Sequence, residues 1–98
     1  MILIHARFQV DPLKEPVFLA ETASLIQASK EESGNLSYQL FKDTEQEHQF
    51  MMVEVWKDAA AVEAHNSSEH FTAFAAKAGQ FLTAPLDIQV YDAQPLKS

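Results

Sequence analysis

Phe50-Met51-Met52-Val53-Glu54-Val55-Trp56 reads as a β-strand with two apolar faces. Side chains alternate along a strand, so Phe50, Met52, Glu54 and Trp56 share one face and Met51, Val53 and Val55 the other. An antiparallel sheet covered by helices on one side should be polar on its far side. Here neither face is polar, and two short helices cannot cover both. A second copy of the chain is expected to supply the missing layer, most simply as a two-fold homodimer.

Working outward from this strand, which is expected to begin near His48, the polar run Asp43-Thr44-Glu45-Gln46-Glu47 is a turn. It joins the strand to another at Leu36–Phe41, making a hairpin. Upstream, residues 2–10 alternate: Ile2, Ile4, Ala6, Phe8 and Val10 against Leu3, His5, Arg7 and Gln9. Asp11-Pro12 breaks that strand and opens a helix whose apolar positions are Phe18, Leu19, Ala23, Leu25 and Ile26, with Gly34 as its stop. Downstream, Asp58 caps a short helix through Ala64, and Asn66-Ser67-Ser68 interrupts it. A second helical piece places Phe71, Phe74, Ala75, Ala78 and Phe81 on one side, and a last strand runs from Leu86 to Tyr91. The order is β-α-β-β-α-β, which predicts an α+β, ferredoxin-like antiparallel sheet with helices on one face.

A chain of 98 residues with 47% hydrophobic and 21% charged residues fits one globular domain, residues 1–98. Its formal net charge is −7, and the seven Lys and Arg form no stripe. Nucleic acid and anionic membranes are therefore not expected as partners. The absence of cysteine excludes disulfides, thiol nucleophiles and cysteine-based metal centres. The first residues lack a basic stretch and no run is long enough to span a bilayer, which predicts a cytoplasmic protein.

Two glycines, Gly34 and Gly79, leave no Gly-rich loop for a nucleotide phosphate, so no flavin or nicotinamide cofactor is expected. Histidine is the informative residue. His65 and His70 flank the break between the helical pieces, where either could take a proton from a phenol or enol. The alternative is that both are helix-end residues bonded to neighbouring backbone. Their spacing of five is not the four that places two metal ligands on one helix face, and no metal is expected. Glu54 on an apolar strand needs a partner or a raised pKa, either at a site or in an ion pair with Arg7. Tyr38 is either a ligand hydrogen-bond donor or a core residue. Phe71, Phe74 and Phe81 pack helix on sheet, and a pocket beside them would suit a planar substrate.

The segment Trp56-x-Asp58-x-x-Ala61-x-x-x-His65-x-x-Ser68-x-His70-Phe71, preceded by Glu54, resembles the signature of the antibiotic biosynthesis monooxygenase family. So do Glu32-x-Gly34-x-Leu36-x-Tyr38 and Ala6-x-Phe8-x-Val10-x-Pro12, and the likeness to small quinol monooxygenases runs over nearly the whole chain. The resemblance implies a ferredoxin-like dimer whose sheets pack into an α/β barrel, with a pocket between sheet and helices in each subunit. Members include cofactor-independent monooxygenases of phenols and quinols, and an isomerase of a phosphorylated autoinducer. Haem-degrading enzymes share the fold but carry an axial His on the second helical piece; Thr72-Ala73-Phe74-Ala75-Ala76-Lys77 has none, so haem is not expected. The function expected is oxidation of a small phenolic or quinol-type substrate without a cofactor. His65 would be the base and Glu54 its orienting partner, with His70 and Tyr38 as hydrogen-bond partners. Trp56, Phe71 and Ser68 would shape the substrate site. An isomerase of a phosphorylated carbonyl compound and a non-catalytic binding dimer are the alternatives.

Overall fold

A computed structural model describes residues 1–96. Its elements are β1 (Ile2–Gln9), a 3-10 turn (Pro12–Lys14), α1 (Glu15–Lys30), β2 (Asn35–Lys42), β3 (Gln49–Trp56), α2 (Ala59–Asn66), α3 (Glu69–Ala78) and β4 (Asp87–Asp92). The four strands form one antiparallel sheet in the order β2-β3-β1-β4, the ferredoxin-like topology. Register sets Ala6 opposite Met52 and Phe8 opposite Phe50, so the alternating residues of β1 and β3 meet on one face. Phe18 and Leu25 of α1, Ala61 of α2, Phe74 of α3 and Phe81 close that face into a core. At its centre the Phe18 ring lies 5.2 Å from both Phe8 and Phe50, tilted pairs that add to the stabilisation from burial.

The first helix departs from its expected form in three ways. Asp11 caps the 3-10 turn, accepting from Leu13 N–H at 3.0 Å, and the α-helix starts only at Glu15. Its buried seam is Phe18, Thr22, Leu25 and Ser29, whereas Leu19 is 41% exposed. Thr22 tolerates burial because its hydroxyl donates to the Phe18 carbonyl at 2.9 Å, within the helix itself. Gly34 does not stop the helix in a left-handed conformation; the helix ends at Lys30, and no glycine has positive φ. What position 34 requires is space, since a Cβ there would collide with Ala61 of α2.

His48 does not open β3, because its backbone is left-handed at φ 62°. It ends the hairpin turn, where Asp43 Oδ1 accepts from the Glu45 and Gln46 amides. Phe81 lies beyond α3 rather than on it, and β4 sits one residue later than expected. Met51, Val53 and Val55 are half-buried on the face that no helix covers, instead of fully buried. Among the described residues no helix is long and apolar enough to cross a membrane.

Candidate functional site

Antiparallel pairing sets Tyr38 of β2 directly opposite Glu54 of β3, both facing the helices. Two residues further on, Trp56 is fully buried and its indole Nε1–H donates to Glu54 Oε1 at 3.0 Å. Arg7 pairs with Met51 on the opposite face of the sheet, so the ion pair considered for Glu54 does not form. One neutral donor is a weak counterweight to removing a carboxylate from water. Burial accordingly pushes the Glu54 pKa up to about 7; the Trp56 hydrogen bond opposes the rise, and the Glu32 charge adds to it. The Tyr38 hydroxyl is driven well above its ordinary value by burial and by the neighbouring Glu54 charge.

Both side chains open onto a cavity of about 530 Å³ between sheet and helices. Met52 lines its floor, Phe71 and Phe74 of α3 one wall, and the loop Leu82–Leu86 closes it beyond the helix. Among the described residues its polar lining side chains are Tyr38, Glu54 and Thr83, and Glu54 is the charged one. Such a chamber suits an apolar, planar molecule with one hydrogen-bonding group directed at the sheet. Proton transfer there would fall to Glu54, whose pKa near neutrality lets it hold or release a proton at physiological pH.

His65 does not reach this chamber. It is 1% exposed, and its ring lies 4.6 Å from Trp56 and 4.8 Å from Phe71. Its Nδ1 is 2.6 Å from Glu32 Oε2, and His70 Nε2 is 2.8 Å from the same oxygen. Burial lowers the His65 pKa, with Glu32 opposing. The structure does not bring His65, the expected base, to the cavity lining: packing encloses the ring, and Glu32 lies against one of its nitrogens. His70 and Trp56 likewise lie outside the cavity lining, and Trp56 acts on the site through Glu54.

Ser68 is drawn away from substrate by the helix break. Its hydroxyl caps α3 by accepting from Phe71 N–H at 3.3 Å, and donates to the His65 carbonyl at 2.6 Å. Of the seven residues expected at the site, Tyr38, Glu54 and Phe71 line the cavity. Sequence reasoning gave Glu32 no role in the chemistry, because it sits 33 and 38 residues from the histidines it joins and only the fold brings them together. The loop Leu82–Leu86 was also missed, since short apolar loops carry no local signature.

The sequence profile described as "Antibiotic biosynthesis monooxygenase" matches residues 1–77. The chain belongs to the antibiotic biosynthesis monooxygenase family. A relative in Bacillus subtilis (strain 168), named "Putative monooxygenase YcnE", is 46% identical over 88 residues, covering 90% of this chain and 93% of the relative. A conserved protein from Methanosarcina mazei Go1 superposes with a TM-score of 0.91 at 28% identity, over 95% of this chain and 92% of that one. A solved structure described as an antibiotic biosynthesis monooxygenase gives 0.89 at 26% identity, over 97% and 100% of the two chains. Among the described residues, no histidine lines the cavity.

Proposed function

We propose that this protein is a cofactor-independent monooxygenase of a small phenolic or quinol-type substrate, working as a homodimer. The observation that carries the reading is Glu54: a carboxyl group titrating at about 7 in an otherwise apolar chamber. Family membership and the name of the B. subtilis relative support monooxygenase chemistry.

The ionised Glu54 takes the hydroxyl proton of the substrate, and the electron-rich ring carbon then forms a bond to O₂. The attacked carbon then gives up its C–H proton to the peroxide as the O–O bond breaks, which leaves a carbonyl and expels hydroxide. One oxygen atom ends in the quinone and the other in water, so the substrate supplies every electron. Glu54 returns its proton to the departing hydroxide. Apolar walls keep bulk water from the carbanion and the peroxide, while Tyr38, protonated throughout, can donate to the developing oxyanion.

The phosphorylated substrate of the alternative isomerase reading is disfavoured by the same lining, which among the described residues offers no Lys, Arg or His to a phosphate dianion. Dimerisation is supported by the uncovered apolar face around Met51, Val53 and Val55. Light scattering should return about twice the 11.0 kDa chain mass, and a single-chain mass at micromolar concentration would remove the dimer.

The deciding experiment is oxygen uptake by chelator-treated protein over a panel of hydroxylated aromatics and hydroquinones. At least one member should be oxidised without added flavin, metal or nicotinamide. Activity that needs flavin would end the proposal, as would silence across the panel with anaerobic conversion of a phosphorylated diketone.

A further inference from the structure

Three polar side chains outside the cavity converge from segments far apart in sequence. Glu32 lies in the turn after α1, His65 at the end of α2 and His70 in the first turn of α3. One donor atom from each falls within 4.8 Å of the other two. We propose that Glu32, His65 and His70 form a binding site for a divalent transition-metal ion, separate from the substrate cavity.

Hydrogen bonding alone leaves the cluster poorly accounted for. His65 Nε2 is buried without a hydrogen-bond partner, and the ring is surrounded by Tyr38, Trp56 and Phe71. A nitrogen among π-systems is better placed carrying a hydrogen than presenting a bare lone pair. Neutral imidazole has one N–H, so that tautomer turns the Nδ1 lone pair toward Glu32 Oε2. Two acceptors 2.6 Å apart need a positive centre between them. His70 Nε2, on the same oxygen, offers a third donor to such a centre.

Two imidazole nitrogens and one carboxylate oxygen are the donor set of zinc, cobalt, nickel and copper; magnesium and calcium prefer oxygen alone. Bonds of about 2.0–2.1 Å in a tetrahedron place ligand atoms roughly 3.3 Å apart. From 2.6 and 2.8 Å, Glu32 Oε2 must withdraw by roughly 0.5–0.7 Å to reach that spacing from the two nitrogens. Movement is open to it on the solvent side, where the Glu32 and His70 side chains are 16% and 26% exposed. Water from that side completes the shell. The ion would clip the turn after α1 to the joint between α2 and α3. None of its ligands lines the cavity, so this site stands or falls independently of the oxygenase reading.

The test uses untagged, chelator-treated full-length protein titrated with Co²⁺ by visible absorbance and with Zn²⁺ by calorimetry. One equivalent should bind with a dissociation constant of about micromolar, intense d–d bands should appear, and the thermal unfolding midpoint should rise. His70→Ala and Glu32→Gln should each weaken binding by more than the roughly 10–100-fold that loss of an outer-shell partner costs. His48→Ala, at a histidine bound to Glu15 elsewhere, should leave affinity unchanged. His70 is partly exposed, so its variant remains folded and interpretable if Glu32→Gln does not. No binding at millimolar metal would mean that a shared proton holds the cluster, and would overturn the proposal. So would full affinity in His70→Ala.

Discussion

Glu32 and Glu54 are two carboxylates withdrawn from water on the same side of one sheet, yet they are held in opposite ways. Glu32 takes two imidazole nitrogens onto one oxygen. Glu54 has a single indole N–H and an apolar chamber in front of it. A carboxylate held by two partners becomes a structural joint, because its position is already committed. A carboxylate left short of partners remains available for chemistry, at a cost in stability. The contrast between the two is a contrast in partner number, and each can be changed by one atom.

The largest effect is expected from Glu54→Gln, which keeps the Trp56 contact but cannot accept a proton. Turnover of whichever substrate consumes oxygen should fall by roughly 10²–10⁴-fold, and the wild-type rate should decline as pH drops below about 7. Steady-state oxygen electrode measurements would check this; undiminished activity would break the contrast outright.

The same variant should be more stable than wild type at pH 8. Because the folded-state pKa is raised from 4.5 to about 7, this group's contribution to stability is fully present below 4.5 and is lost as pH climbs through 7. At about 1.4 kcal/mol per pKa unit, the gain should be roughly 2–4 kcal/mol at pH 8 and near zero at pH 4. Urea midpoints at the two pH values read it directly.

Glu32→Gln should act in the other direction. Losing the carboxylate that joins two histidines, one of them buried, should cost about 2 kcal/mol in urea denaturation at pH 7. A neutral result would make Glu32 a bystander and dissolve the distinction. Ser68→Ala removes the cap of α3 and the tether to the His65 carbonyl, and should cost about 1 kcal/mol by the same measurement. Oxygen uptake should persist in that variant, since the hydroxyl does not face the chamber.

Strand periodicity made the fold readable: the β1 alternation and the β3 run set the register of the central pair without help from the helices. Helix α1 was less legible because Thr22 and Ser29 took buried positions that an apolar count assigns to Leu19 and Ala23. At the site, Glu54 announced itself as a carboxylate among apolar neighbours. The placement of His65 was not legible, because a histidine at a helix break looks the same from sequence whether it opens to a pocket or is enclosed by Trp56 and Phe71. Glu32 was beyond reach for a related reason, since its meaning comes from residues more than thirty positions away.

Strand β4 lies at the edge of the sheet with all six residues exposed, and among the described residues no strand pairs with its outer side. It begins at Asp87 and ends at Asp92. If a second copy added its own β4 antiparallel in the symmetric register, Asp87 would face Asp92 twice, and like charges directly opposite repel. The edge thus carries its own deterrent to ribbon-like growth in that register.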